Sequence, residues 1–308
     1  MTTKDRYLTI LTMILYAPNI NSGGGLVLLN TVIEDEVFGK VTHLFIDKRC
    51  PFQTSFNNIN IIKVKPSIIS RFLAEFTLAK IAKNNPDHEI VCFGNLPPLL
   101  SHKNTTTVFL HNAYLLKSIP LPTAFKLKFR LILERLIFYY FIQNTNKLIV
   151  QSNWMKRSLK KYINKEIFIK RIIPKLPSYK SIERDKRKYD LILVTGPEQH
   201  KNSHLINQIF QNIEKKVDIC ILGKFTPNIS NSNVCVTSYK RASREQVYQC
   251  YQNAKSLLVL SEFESFCLPI FEALHFGCKV IMKTDHYLDT DVKRINLNNE
   301  IEKLKDYL

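Results

Sequence analysis

The stretch Ser261-Glu-Phe-Glu-Ser-Phe-Cys-Leu-Pro-Ile-Phe-Glu-Ala-Leu-His-Phe-Gly277 holds the densest set of residues able to do chemistry. Pro269 occupies a position that a helix favours in its first turn, and Gly277 one at which a helix ends. The spacing predicts a helix over 269–276, fed by the loop 261–268 directly after an apolar strand, Ser256–Leu260. At such a start the backbone N–H groups of Ser265, Phe266, Cys267 and Leu268 are unspent, and the positive end of the helix dipole favours an anion such as a diphosphate. Glu264 in the loop and Glu272 about one turn into the helix can reach one ligand from the same side. A carboxylate is a strong acceptor for sugar or ribose hydroxyls. A plainer arrangement also fits, in which Glu272 only complements the dipole and Glu264 is solvated.

Other groups able to act stand at the ends of apolar runs. Ser22-Gly23-Gly24-Gly25 follows the first run and reads as a turn before a helix, without the spacing of a dinucleotide fingerprint. His111-Asn112 ends the run Thr106–Leu110, and Lys201-Asn202 follows Leu191–Thr195 by a short loop. A lone histidine at a strand end is more often structural, and a lysine so placed can also be simply solvated surface. Asp289-Thr290-Asp291 has a spacing that holds divalent cations elsewhere, but it lies beyond the last clear strand and is assigned no metal role.

These groups need elements to hold them. The first half alternates strands (Thr9–Tyr16, Val41–Ile46, Ile61–Val64, Ile90–Phe93, Thr106–Leu110, Leu148–Val150) with helices (Leu26–Val37, Ser70–Lys83, Phe125–Gln143). The second half repeats the pattern, with strands Leu191–Thr195, Asp218–Leu222, Val234–Thr237, Ser256–Leu260 and Lys279–Met282 and helices Ser203–Glu214, Ser243–Asn253 and the one already described. Strands separated by helices of this length mean parallel sheets. The expected fold is α/β, two Rossmann-like doubly wound domains, 1–175 and 176–308, facing a central cleft at the carboxyl ends of their strands. A length of 308 residues supplies two buried cores.

Charge is uneven. The net +18 divides into +8 over residues 1–150, +10 over 151–188 and zero beyond, so the sharpest motif lies in the neutral third. Residues 151–188 read as a basic joint between the halves. Phe125-Lys-Leu-Lys-Phe-Arg-Leu-Ile-Leu-Glu-Arg-Leu136 interleaves cations with large apolar residues, and Lys156, Arg157, Lys160 and Lys161 begin the joint. Such a surface suits anionic lipid headgroups, or else Leu127, Leu131 and Leu136 form core beneath solvated lysines. Nucleic acid is not expected as a partner, because no zinc-finger spacing or RNA-recognition aromatic signature accompanies the charge. Seven cysteines, an odd number with no CxxC pair, argue against a disulfide framework and for a reducing, cytoplasmic setting. Lys4 and Arg6 ahead of Tyr7–Ala17 imitate a secretory signal but lack a small-x-small cleavage site.

Glu264-Ser-Phe-Cys-Leu-Pro-Ile-Phe-Glu-Ala273 resembles the hallmark segment E-G-F-G-L-P-x-x-E-A of the group 1 glycosyltransferases, glycosyltransferase family 4. It matches at both glutamates, Phe266, Leu268, Pro269 and Ala273, and departs at Ser265 and Cys267, where the family has glycines. The resemblance implies a GT-B fold and retaining, metal-independent transfer of a sugar from a nucleotide-diphosphate sugar, a co-substrate with no further cofactor. The acceptor would be a saccharide or lipid-linked molecule, in the assembly of bacterial surface polysaccharide or lipopolysaccharide at the inner face of the cytoplasmic membrane. It further implies that Glu272 holds the ribose, Glu264 contacts the donor sugar, and His111 lies beside the anomeric carbon. Gly23, Gly24 and Gly25 would approach the donor phosphate and acceptor. Lys201 would neutralise the departing diphosphate. The family's companion arginine is missing, and Thr195 stands about where it would be; a catalytically weak or silent GT-B subunit is the alternative this leaves open.

Overall fold

In the computed structural model, which describes residues 11–51, 58–225, 227–289 and 291–308, the first apolar run forms β1, Thr12–Ala17. The start of that run at Thr9, and the signal-like reading of Lys4 and Arg6, lie outside the described residues. The remaining strands expected in the first half follow as β2 (Lys40–Asp47), β3 (Asn60–Val64), β4 (Glu89–Cys92), β5 (Thr106–Leu110) and β6 (Lys147–Val150). The helices between them are α1 (Gly23–Glu34), α2 (Ile68–Asn84) and α3 (Phe125–Phe141). Near-continuous burial along β1, β4 and β5 explains why their sequences read as unbroken apolar runs: parallel strands are covered on both faces.

Two expectations need correction. Gly23, Gly24 and Gly25 are the first turn of α1 and not a turn ahead of it. Their poor helix propensity is outweighed by Leu28, Leu29, Val32 and Ile33, which anchor the helix in the core, and Gly23 takes φ +67, which only glycine adopts without strain. The basic joint, to which the sequence assigned no element, also holds secondary structure. It contributes α4 (Asn153–Lys160), capped by the Ser152 side chain, and β7 (Ile167–Ile169), which pairs with β6.

The chain divides into two compact units between Pro174 and Lys175. The first carries one sheet of order β3-β2-β1-β4-β5-β6-β7, every neighbouring pair parallel. The second holds β8 (Tyr189–Val194), α5 (Leu205–Gln211), β9 (Val217–Leu222), β10 (Val234–Tyr239), α6 (Arg244–Gln252), β11 (Ala254–Val259), α7 (Leu268–His275), β12 (Lys279–Met282) and β13 (Ile295–Asn296). Its sheet order is β10-β9-β8-β11-β12-β13, again parallel throughout. Each sheet therefore reverses its strand order once, between β1 and β4 in the first unit and between β8 and β11 in the second. In doubly wound sheets that reversal opens a crevice at the strand ends. Lys201 follows β8 and Glu264 follows β11, so both residues stand at the second reversal.

Several cations counted in the basic joint turn out to be internal braces. Arg187 is buried and donates to the carbonyls of Ala254 and Phe276 at 2.7 and 3.0 Å, tying the entry of the second unit to β11 and to the end of α7. Lys165 donates to the Ile142 carbonyl, and Lys170 reaches the Val37 carbonyl over the Phe38 ring. None of the seven cysteines forms a disulfide, and six are buried.

Candidate active site

Strand β8 ends at Val194, and Thr195 follows with its amide and hydroxyl both given to the Leu222 carbonyl, at 2.7 and 3.2 Å. The residue standing where the resemblance calls for arginine is thus fastened to backbone. The chain then makes a short 3-10 turn, Gln199–Lys201, which ends because Asn202 is left-handed at φ 50. Asparagine tolerates that conformation better than most residues. Its amide nitrogen donates to Leu260 O at 3.0 Å and to Glu262 Oε1 at 2.8 Å, and the Glu262 N–H donates to His200 O at 2.8 Å. These bonds fasten the loop after β8 to the loop after β11.

The clasp brings Lys201 and Glu264 together. Lys201 Nζ stands 3.6 Å from Glu264 Oε1, Ser261 Oγ donates to the same oxygen at 3.0 Å, and His200 Nε2 lies 3.7 Å away with its ring stacked on Phe263. Burial by itself raises the Glu264 carboxyl, but Lys201 together with His200 and Ser261 outweighs it and holds the group at about 2. The ammonium of Lys201 is stabilised in turn, chiefly by Glu264. At neutral pH this is a charged pair, an acceptor beside a fixed cation, and not a proton-sharing one.

Glu264 leads into α7. Cys267 is its N-cap, in the left-handed region at φ 55, and makes no side-chain capping bond. The family pattern has glycine at this position, and the backbone here keeps a conformation that favours glycine although the residue has changed. Burial, with Glu264 nearby, pushes the Cys267 thiol up, so it stays protonated. Helix α7 starts at Leu268 with Pro269 in its first turn and closes at Gly277, φ +76, as the sequence predicts. Ser265, Phe266, Cys267 and Leu268 thus lie at the opening of this helix, with Phe266 stacked on Phe271 at 4.3 Å.

Glu272 is 2% exposed and faces a different partner. Arg244 Nη2 donates to its Oε1 at 2.5 Å and to Tyr248 Oη at 2.8 Å, and the guanidinium lies over the Tyr248 ring. Burial raises the Glu272 carboxyl and Arg244 opposes the shift. Sequence reasoning missed both Arg244 and His200. Arg244 opens α6 behind the capping box of Ser243 and Gln246. That Ser-x-x-Gln signal was visible, but nothing local ties the arginine to a glutamate on the next helix.

The remaining expected residues lie in the first unit. His111 follows β5, its N–H held by Asn95 Oδ1 at 2.7 Å and its ring stacked on Phe93 and Phe109. Its Nε2 is 3.0 Å from the Phe93 carbonyl, which can only accept. The proton therefore sits on Nε2, leaving Nδ1 as an acceptor. Burial lowers this imidazole to about 4, so it is neutral near pH 7. A Cβ on Gly25 would meet His111 Cε1 at 3.2 Å, while at Gly23 and Gly24 it would meet nothing within 4 Å. Gly25 and His111 are brought together; Gly23 and Gly24 leave open space beside the helix start. Asp289 and Asp291 flank Thr290, which lies outside the described residues. Among the described residues no three His, Cys, Asp or Glu side chains cluster to hold a metal ion.

No protein-family model matches the sequence, and no curated protein matches it. Solved structures do. The chain is similar to the lipopolysaccharide outer core galactosyltransferase WaaB, with a TM-score of 0.62 at 14% identity over 96% of this chain and 89% of that one. It is similar to a sucrose-phosphate synthase from Thermosynechococcus elongatus, with a TM-score of 0.61 at 14% identity over 88% of this chain and 81% of that one. It is also similar to an α-glucosyltransferase solved with UDP and a 13-mer DNA containing an HMU base, with a TM-score of 0.63 at 10% identity over 96% and 88%. At such identities the likeness is one of architecture, and the architecture of this chain is the GT-B fold.

Proposed function

We propose that this chain is a retaining glycosyltransferase of the group 1 type, moving a sugar from a nucleotide-diphosphate sugar to a saccharide or lipid-linked acceptor. The observation that carries the reading is the Lys201–Glu264 pair at the reversal point of the second sheet, beside the start of α7. As the bond from the anomeric carbon to the diphosphate lengthens, negative charge gathers on the phosphates and positive charge on the sugar. Lys201 and the amides of residues 265–268 meet the first, and the Glu264 carboxylate accepts from sugar hydroxyls and faces the second. The second unit is then the donor domain, with Glu272 on the ribose and Arg244 holding that carboxylate in place.

The first unit is the acceptor domain, and Gly23–Gly25 at the start of α1 and the neutral His111, whose Nδ1 can accept, are the groups it offers to substrate. Front-face attack with the leaving diphosphate assisting deprotonation needs neither a covalent nucleophile nor a metal. Surface polysaccharide or lipopolysaccharide assembly, at the cytoplasmic face of an anionic membrane, is the setting this reading favours. It is supported by a neighbour of the same fold named as a lipopolysaccharide outer core galactosyltransferase, and by a basic first unit.

A thermal-shift screen against nucleotide sugars tests donor binding, since a ligand held only by the folded form raises its midpoint. Transfer and donor hydrolysis are then measured on wild type, Lys201→Ala and Glu264→Ala. Loss of turnover in both variants, with the fold intact, is expected; no midpoint shift with any nucleotide sugar overturns the assignment. Thr195, bonded to backbone where a second cation would stand, favours one other reading, a GT-B subunit that binds donor without turning it over. A midpoint shift without transfer or hydrolysis identifies it.

A further inference from the structure

The most unusual surface of the first unit belongs to α2 and α3. On α2, Ile68, Phe72 and Phe76 follow one another at four-residue spacing and are 81, 53 and 52% exposed. On α3, Phe125, Phe129, Leu136 and Tyr140 form a second stripe, 81, 64, 63 and 68% exposed. Leu131 and Phe138 are the fully buried side chains of α3, so the expectation that Leu136 is core is corrected: it faces outward. The connections β3 to β4, β5 to β6 and β6 to β7 all run the same way across the sheet, so right-handed crossovers set α2, α3 and α4 on one face and α1 on the other. Arg71 of α2 lies within electrostatic reach of Glu134 of α3, as neighbouring helices require.

Charge on this face has one sign. The three helices hold ten Lys and Arg against two acids. Neither acid is free: Glu75 is buried and accepts from Tyr16 Oη and the Leu99 amide, and Glu134 pairs with Arg130 at 3.4 Å. Lys126, Lys128 and Arg130 are exposed between the aromatic residues of α3, and Arg157 and Lys160 on α4. A second copy of this face would set cation against cation. A duplex nucleic acid would use the cations and leave the phenylalanines in water, and a single strand stacking on the rings would still leave Ile68 and Leu136 there. A lipid bilayer with anionic headgroups takes both at once, and no helix of the described residues is long and apolar enough to cross it.

We infer that the joint face of α2 and α3 is a docking surface for an anionic lipid bilayer, its apolar stripes entering the acyl boundary and its lysines and arginines meeting headgroup phosphates. The inference rests on the membrane contact proposed above and locates it. Flotation tests it with the purified full chain and vesicles of phosphatidylcholine, alone or mixed with phosphatidylglycerol, with no donor present. Its failure is thereby distinct from failure of sugar transfer.

Wild type should float with the mixed vesicles and retain part of that binding in high salt. Phe72→Ser with Phe76→Ser, and Phe125→Ser with Phe129→Ser, should each weaken it about tenfold or more at constant salt. Lys126→Glu with Lys128→Glu should weaken it mainly at low salt. All six positions are exposed, so thermal midpoints should stay near wild type, and a donor-induced shift should survive. Serine variants that float like wild type overturn the inference. So does a wild-type dimer, seen by sedimentation, that the serine substitutions dissociate while vesicle binding persists.

Discussion

Replacing Lys201 by methionine removes a charge while keeping most of the side-chain body. The ammonium stands 3.6 Å from Glu264 Oε1, which at an effective dielectric of about 20 corresponds to roughly 4–5 kcal/mol of bare attraction. The Glu264 carboxyl lies at about 2 where 4.5 is ordinary, so its folded surroundings favour the anion by roughly 3 kcal/mol. The smaller figure is the one to expect, because burial offsets part of the attraction. With Lys201 gone, burial dominates and Glu264 should return to its ordinary range or above.

A carboxyl depressed in the folded state stabilises the fold above its unfolded value and loses that contribution as pH falls toward about 2. The stability gap between wild type and Lys201→Met should therefore be about 3 kcal/mol near neutrality and shrink by about half near pH 3. Urea unfolding at several pH values measures it. On the proposed function, turnover falls about 100- to 1,000-fold, with a smaller change in KM for the donor. A gap that stays constant from neutrality to acid, or wild-type turnover in the variant, refutes the reasoning.

His111 is held neutral, at about 4 against an ordinary 6.5, so the unfolded chain takes its proton first as pH falls. His111 should subtract roughly 3 kcal/mol of stability across that window, and His111→Gln should flatten the acid side of the stability profile. Gly24→Ala meets nothing within 4 Å and should stabilise α1 by up to about 1 kcal/mol, a rise of roughly 2–4 °C in melting. If Gly24 also approaches donor, activity falls while the melting temperature rises. Arg244→Ala leaves Glu272 buried without its guanidinium; since the arginine is 37% exposed, a cost of about 2–3 kcal/mol, below that of a fully buried pair, is expected. Adding Glu272→Gln should recover part of it, and a double-mutant cycle by urea unfolding measures the coupling.

What the sequence disclosed depended on whether the deciding contact was local. The strands after Leu11 and before Thr195 are buried on both faces, so their apolar runs were legible residue by residue. Helix α7 was legible because Pro269 and Gly277 mark its two ends. By contrast Ile167–Ile169 is three residues in a lysine-rich stretch, and its being a strand depends on the neighbouring β6. Residues Gly23–Gly25 read as a turn because glycine is a poor helix former, a weakness that core packing further along α1 overrides. In α3 the apolar residues were visible, but which of them face the sheet was not, since cations and apolar residues interleave on every side. Glu264 and Glu272 were singled out by spacing and Lys201 by the family resemblance; His200 and Arg244 became visible only when folding set them against those acids.

The asparagine that ends the turn after Lys201 has a consequence for how this chain can vary. Its side chain and the Glu262 amide lock two loops of the second unit to each other, so the interval between ammonium and carboxylate is decided wholly within residues 196–264. Substitutions up to Pro174 can therefore reshape whatever the first unit recognises without retuning that interval. A change as small as Asn202→Asp, which deprives Leu260 of its donor, would detune it at once.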